Sequence, residues 1–195
     1  AGVSTRTLNL RTTTPPVIAN SFVASSVAGG ASTVVSAVGK FFDPDTASAA
    51  RFTTTKGIFD IIFFPVAAPL TVDNFIDYMD AGEYDNMFFH RSPANFVVQG
   101  GGYKYSMADG FTEVVKFPAV MNEPGISNKR GTVAMAKLGG NPNSATSEWF
   151  VDVKDNSGGG PALDTQNGGF TVFGRVPESG MVVVQAINNL PLATY

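Results

Sequence analysis

Only two stretches of this 195-residue chain carry helical periodicity, and around them run many short β-like segments broken by Gly, Asn, Ser and Pro. The first helical stretch recurs on one face through Val72, Phe75, Ile76 and Met79, with Thr71 as candidate N-cap and Gly82 as candidate stop. The second spans 181–187, ahead of Asn188-Asn189. The β-like segments are 51–55 and 58–64, joined at Lys56-Gly57 as a hairpin, then 96–100, 132–136, 149–153 and 170–176. Regular strand-helix alternation is missing, which argues against a doubly wound sheet. The pattern predicts a mainly β fold, a closed or nearly closed barrel with two helices.

Residues 1–50 differ in texture, being rich in Ala, Ser, Thr and Val with only short apolar alternations. They read as an N-terminal extension. Its Phe41-Phe42-Asp43-Pro44 ending is hard to leave in water, so the extension is expected to pack partly on the domain at 51–195. Hydrophobic content of 44% with 16 phenylalanines suffices for one sizeable core. A net charge of -3, with 15% charged residues, disfavours nucleic acid as a partner. No run nears the roughly 18 apolar residues of a membrane helix, so no membrane insertion is expected. The chain has no cysteine, and Ala1-Gly2 resembles what a removed signal leaves behind. Both fit a periplasmic or otherwise extracytoplasmic protein, with the cytoplasm as the alternative.

The segment FHRSPANFVVQGG at 89–101 sets an arginine and a glutamine on either side of an apolar run, and GTVAMAKLGGNPNSATSEWFV follows at 131–151. With FTTTKGIFDIIFF at 52–64, APLTVDNFIDYMDAGEYDNMFFHR at 68–91 and FTVFGRV at 170–176, these pieces resemble the cyclophilins, peptidyl-prolyl cis-trans isomerases, and the bacterial branch most. The resemblance covers about 51–190. It implies a closed eight-stranded antiparallel β-barrel capped by two α-helices, acting on proline-containing peptides or unfolded client proteins as a monomer without metal or organic cofactor. It also implies a closing strand after the second helix, where this sequence reads Pro191-Leu192-Ala193-Thr194-Tyr195; strand pairing from 5–10 or 33–38 is the expected substitute.

The same resemblance assigns roles. Arg91 stands at the catalytic arginine, and Gln99 at the pocket glutamine that orients it and bonds the substrate backbone. Phe96, Val97, Met135, Phe150 and Leu163 match positions that form or support the apolar proline pocket, with barrel core alone as the lesser alternative for Met135 and Phe150. Ala136 and Lys137 are expected along the peptide groove, Lys137 through its backbone with the side chain outward or simply solvated. The only histidine, His90, falls at a position regarded as structural. Departures are Glu148 for glutamine, Trp149 for phenylalanine and Val97 for methionine; Ala162 replaces a groove aromatic and Phe170 a frequent histidine. These substrate-binding changes predict altered peptide preference and weaker binding of the family's cyclic peptide inhibitor, with Glu148 favouring basic peptides. Asp43, Asp45, Asp152 and Asp155 read as solvated acids or turn residues rather than a calcium site. The glycine clusters at 100–102 and 158–160 lack the strand-to-helix setting of a phosphate loop. Alternatives to an isomerase are a catalytically weak proline-peptide-binding module and a structural domain whose contacts lie in 1–50.

Overall fold

The computed structural model describes residues 5–7, 17–18, 39–40, 49–160 and 162–191. Contacts divide the chain into two units, Ala1–Thr7 with Ser48–Tyr195, and Leu8–Ala47. In the smaller, β2 (Val17–Ile18) pairs antiparallel with β3 (Gly39–Lys40). The Phe41 to Pro44 stretch and the 33–38 segment lie outside the described residues.

The larger unit contains β1 (Thr5–Thr7), β4 (Ala49–Thr54), β5 (Gly57–Phe63), helix α1 (Pro69–Asp80), β6 (Val97–Gly100), β7 (Tyr103–Ser106), β8 (Gly110–Glu113), β9 (Thr132–Met135), β10 (Trp149–Asp152), β11 (Val172–Arg175) and helix α2 (Glu178–Asn188). Among the described residues seven strands form one antiparallel sheet in the order β1-β4-β5-β11-β9-β10-β6, while β7 and β8 form a separate hairpin that Lys104 of β7 ties to Met87 through a single antiparallel bridge. The closed eight-stranded barrel is therefore corrected to an open, curled half-barrel with a separate hairpin.

The physical reason lies at the β6 edge. After Gly100 the chain turns through Gly101, whose φ of 81° is left-handed, and leaves the sheet to build the hairpin. The outer edge of β6 is covered instead by Arg91, whose backbone exchanges hydrogen bonds with Gln99. At the other edge β1 pairs with β4, Thr5 opposite Arg51.

Curling is visible in the aromatic contacts. Phe52 on β4 and Trp149 on β10 are four strand steps apart, about 19 Å across a flat sheet at the usual spacing, yet their ring centroids are 5.1 Å apart. The sheet thus wraps a core of Phe52, Phe59, Phe63, Phe173 and Trp149, into which α1 inserts Val72, Phe75 and Tyr78.

Helix α1 begins two residues before the expected cap, with Pro69 in its first turn, where a missing N–H costs nothing. Thr71 is not the cap. The free amides of Leu70 and Thr71 donate to the Glu123 carboxylate, at 3.2 and 2.8 Å, a partner 52 residues beyond Thr71. The sequence reasoning also missed β7 and β8, whose YKYS and GFTE segments carry weak alternation.

Gly101 tests this construction. A Cβ there would collide with the Ser147 carbonyl oxygen, on a backbone disfavoured for other residues. Gly101→Ala is expected to cost about 2–3 kcal/mol, read as a lower denaturation midpoint; an unchanged midpoint would show that the turn relaxes freely.

Candidate active site

Strand alternation across the paired register sorts the sheet into two faces. Phe150 lies opposite Gln99 on one side and Ala134 on the other, and Ala134 lies opposite Val172. Side chains two apart share a face, so Val97 and Ala136 join this row. The packing agrees: Val97, Ala134, Phe150, Leu163 and Val172 form a cluster separate from the main core, with Phe96, Ala136 and Phe170 partly buried against it. Met135, Trp149 and Val133, one residue out of phase, face the main core.

Six of the apolar residues expected at the site thus meet in one cluster, Phe96, Val97, Ala136, Phe150, Leu163 and Phe170, while Ala162 is half-buried in the loop just before Leu163. Met135 is corrected. It is 1% exposed and packs in the core, because its strand phase is that of Trp149 rather than of Phe150. Leu163 and Phe170 are joined by the Phe170 amide donating to the Leu163 carbonyl at 2.9 Å, and Phe170 meets Phe150 edge-on at 5.8 Å.

Beside this apolar floor stands a polar chain of four residues. The exposed Arg91 guanidinium lies 5.5 Å from the Phe96 ring centroid, and its Nη1 donates to Gln99 Oε1 at 3.2 Å. Gln99 Nε2 donates to Glu148 Oε2 at 2.8 Å, and His90 Nε2 lies 3.3 Å from the same oxygen. The His90 hydrogen bond, then that of Gln99, holds the Glu148 carboxyl below its ordinary range despite the opposing effect of burial. An ionised carboxylate only accepts, so it draws the NH2 end of Gln99 and turns Oε1 toward Arg91. Glu148 orients the amide; its charge is engaged within the protein.

The loop at 138–147 is shaped by its own polar groups. Ser144 Oγ accepts from the Leu138 amide at 2.8 Å and donates to the Asn141 carbonyl at 2.7 Å, and Asn143 Oδ1 accepts from the Asn122 amide at 3.0 Å. Lys137 departs from the outward course. Its side chain folds over Phe170, Nζ 4.9 Å from the ring centroid, and donates to the Gly169 carbonyl.

Residues 49–194 match the profile of the family described as cyclophilin type peptidyl-prolyl cis-trans isomerase/CLD. The chain belongs to the cyclophilin family. A peptidyl-prolyl cis-trans isomerase of Acinetobacter baylyi is 38% identical over 146 residues, covering 73% of this chain and 72% of the relative. Peptidyl-prolyl cis-trans isomerase B of Escherichia coli is 39% identical over 144 residues, covering 71% and 83%. A cyclophilin type isomerase of Cryptosporidium parvum, crystallised in the presence of the dipeptide Ala-Pro, has a TM-score of 0.57 at 24% identity. That match covers 74% of this chain and 87% of the other, and shows a shared fold.

This cyclophilin also buries an acid that sequence reasoning placed in solvent. Asp152 is fully buried at the end of β10, opposite Val97. Asn156 donates to Asp152 Oδ1 at 2.6 Å and to the Phe96 carbonyl at 3.1 Å, so the group anchors one wall of the apolar surface. Thr132 Oγ1 lies 2.8 Å from both the Lys129 carbonyl and Asp152 Oδ2. The hydroxyl has one proton; given to the carbonyl, it leaves the second contact to a proton on Asp152. Burial first, with Asp164 and Asp155 adding repulsion, pushes Asp152 up to about 7. The only signal in sequence was its place in the apolar WFVDV run.

The folded state therefore keeps a proton that the unfolded chain releases near pH 4. Stability from this group is full below that value and is lost as pH rises to about 7. Asp152→Asn, which keeps both contacts, is expected to remove a slope of about 1 kcal/mol per pH unit. Urea unfolding of both proteins at several pH values measures it, and parallel curves would refute the buried proton.

Proposed function

We propose that this cyclophilin is a peptidyl-prolyl cis-trans isomerase that accelerates rotation about X-Pro bonds and so assists protein folding. The observation that carries the reading is the Arg91–Gln99 hydrogen bond standing beside the Phe96, Val97, Phe150 and Leu163 surface. The apolar surface takes the proline ring, removing it from water, while the polar chain meets the peptide backbone.

Rotation requires loss of amide conjugation against a barrier of about 18–20 kcal/mol. At the twisted transition state the prolyl nitrogen becomes pyramidal and gains a localised lone pair. A guanidinium N–H aimed at that lone pair binds a feature nearly absent from the planar ground state, which is what raises a rate. Arg91 is held for this task by the Phe96 face and by Gln99 Oε1, one donor of its five being used for the tether. No proton is transferred and no covalent intermediate forms, so His90 acts only through Glu148 and Gln99.

A second reading, a peptide-binding module with weak turnover, draws on Ala162, which offers no aromatic wall, and on Lys137 lying across Phe170. Exchange spectroscopy by NMR on a short, blocked Xaa-Pro peptide separates the two. Cis-trans exchange quickened by a catalytic amount of protein supports the isomerase; peptide binding with unaltered exchange selects the module.

A further inference from the structure

Besides Arg91, the apolar face carries a second cation in an unusual setting. Lys137 follows Ala136, whose amide is bound to the Glu148 carbonyl at 2.9 Å, so its backbone position is tied to the site. Its ammonium lies over the ring of Phe170, which meets the buried floor through Phe150. Arg51, Lys104 and Arg130 each have a carboxylate partner, at Asp60, Glu83 and Glu178. Among the described residues, Lys137 has no such ion pair and only a neutral carbonyl acceptor, that of Gly169. Burial lowers its pKa, the mark of a cation short of water.

An ammonium has three donors, and two remain beyond the Gly169 bond. Nearby acids do not compete: Glu148 is engaged by Gln99 and His90, and Asp164 by the amide and side chain of Asn128 at 2.7 and 2.9 Å. Partial desolvation makes a charge-assisted bond to an incoming carboxylate stronger than the same pair in water. The apolar surface is thus flanked by two cations, Arg91 on Phe96 and Lys137 on Phe170, and the carboxylates of Glu148 and Asp164 are already engaged.

We propose that the Lys137 side chain forms a carboxylate subsite, selecting substrates with an acidic side chain immediately before or after the proline. This rests on the isomerase reading above and reverses the preference for basic peptides that Glu148 suggested in sequence. Lys137 is a specificity residue; the bond rotation itself belongs to Arg91.

The test compares peptides blocked at both ends, so that the only carboxylate is a glutamate side chain placed just before or just after proline, each against its glutamine twin. In wild type one glutamate peptide is expected to exceed its twin in kcat/KM by about twofold to fivefold, the upper part of the range for a partly exposed ion pair. That ratio is expected to collapse toward one in Lys137→Met, which keeps an unbranched side chain of similar length without the charge, and to return in Lys137→Arg. A ratio that Lys137→Met leaves unmoved, or wild-type ratios near one for both placements, overturns the subsite. Should wild type quicken none of the peptides, the isomerase reading fails by itself. The subsite is then judged by the same ratios taken as dissociation constants from chemical-shift titration, where equal affinities or no binding overturn it.

Discussion

Arg91→Ala is expected to lower kcat/KM for a neutral Xaa-Pro peptide by about two orders of magnitude, the usual loss when one preorganised donor to a transition state is removed. Arg91 is exposed, and its recorded side-chain contacts are the Gln99 hydrogen bond and the Phe96 ring. Folding should therefore be little affected, with the denaturation midpoint near that of wild type. The fall should appear in kcat more than in KM, because the lone pair being recognised develops only in the twisted state. Arg91→Lys should recover little, since an ammonium lacks the planar fork that stacks on Phe96 and meets Gln99 together. Full turnover by a folded Arg91→Ala protein would disconnect the guanidinium from the rate.

The second large effect concerns Phe75, where α1 enters the curled sheet. Its ring is fully buried and meets Phe63, Tyr84, Trp149 and Phe173 at centroid distances of 5.4, 4.9, 5.7 and 4.9 Å. Those partners come from three different strands and the turn after α1, so no single shift can fill the space. Phe75→Ala is expected to cost about 3–5 kcal/mol, a large part of the roughly 5–15 kcal/mol that holds a domain folded. Guanidinium denaturation measures it, and a loss below about 1 kcal/mol would show that the core collapses around the cavity. The apolar face proposed to take the proline lies on the other side of β10, so the folded fraction should keep most of its turnover.

Strand alternation separates those two predictions, and it shows where sequence reading succeeded. Arg91, Gln99, Phe96 and Val97 lie within nine residues, so local spacing was enough to group them. Phe150 and Met135 both looked like strand residues with two possible faces, and only the pairing of Trp149 with Met135 and of Phe150 with Ala134 sent them apart. Glu148 read as a negative charge near the groove favouring basic peptides until Gln99 and His90, 49 and 58 positions earlier, were found bonded to it. Asp152 looked like a solvated acid because its burying partners, Thr132 and Val97, are remote in sequence.

From the sequence by itself come the family, the two helices and most strands of the main sheet, and the catalytic candidates, because motifs, turn residues and hydrophobic period are local properties of a chain. Tertiary structure alone decided whether the sheet closes, which strand face each residue joins, and which charges are already paired. Those outcomes depend on contacts between distant residues. The left-handed turn at Gly101 sends the next two strands out of the sheet, Glu123 supplies the amide partners at the start of α1, and Lys137 finds a carbonyl and a ring rather than water.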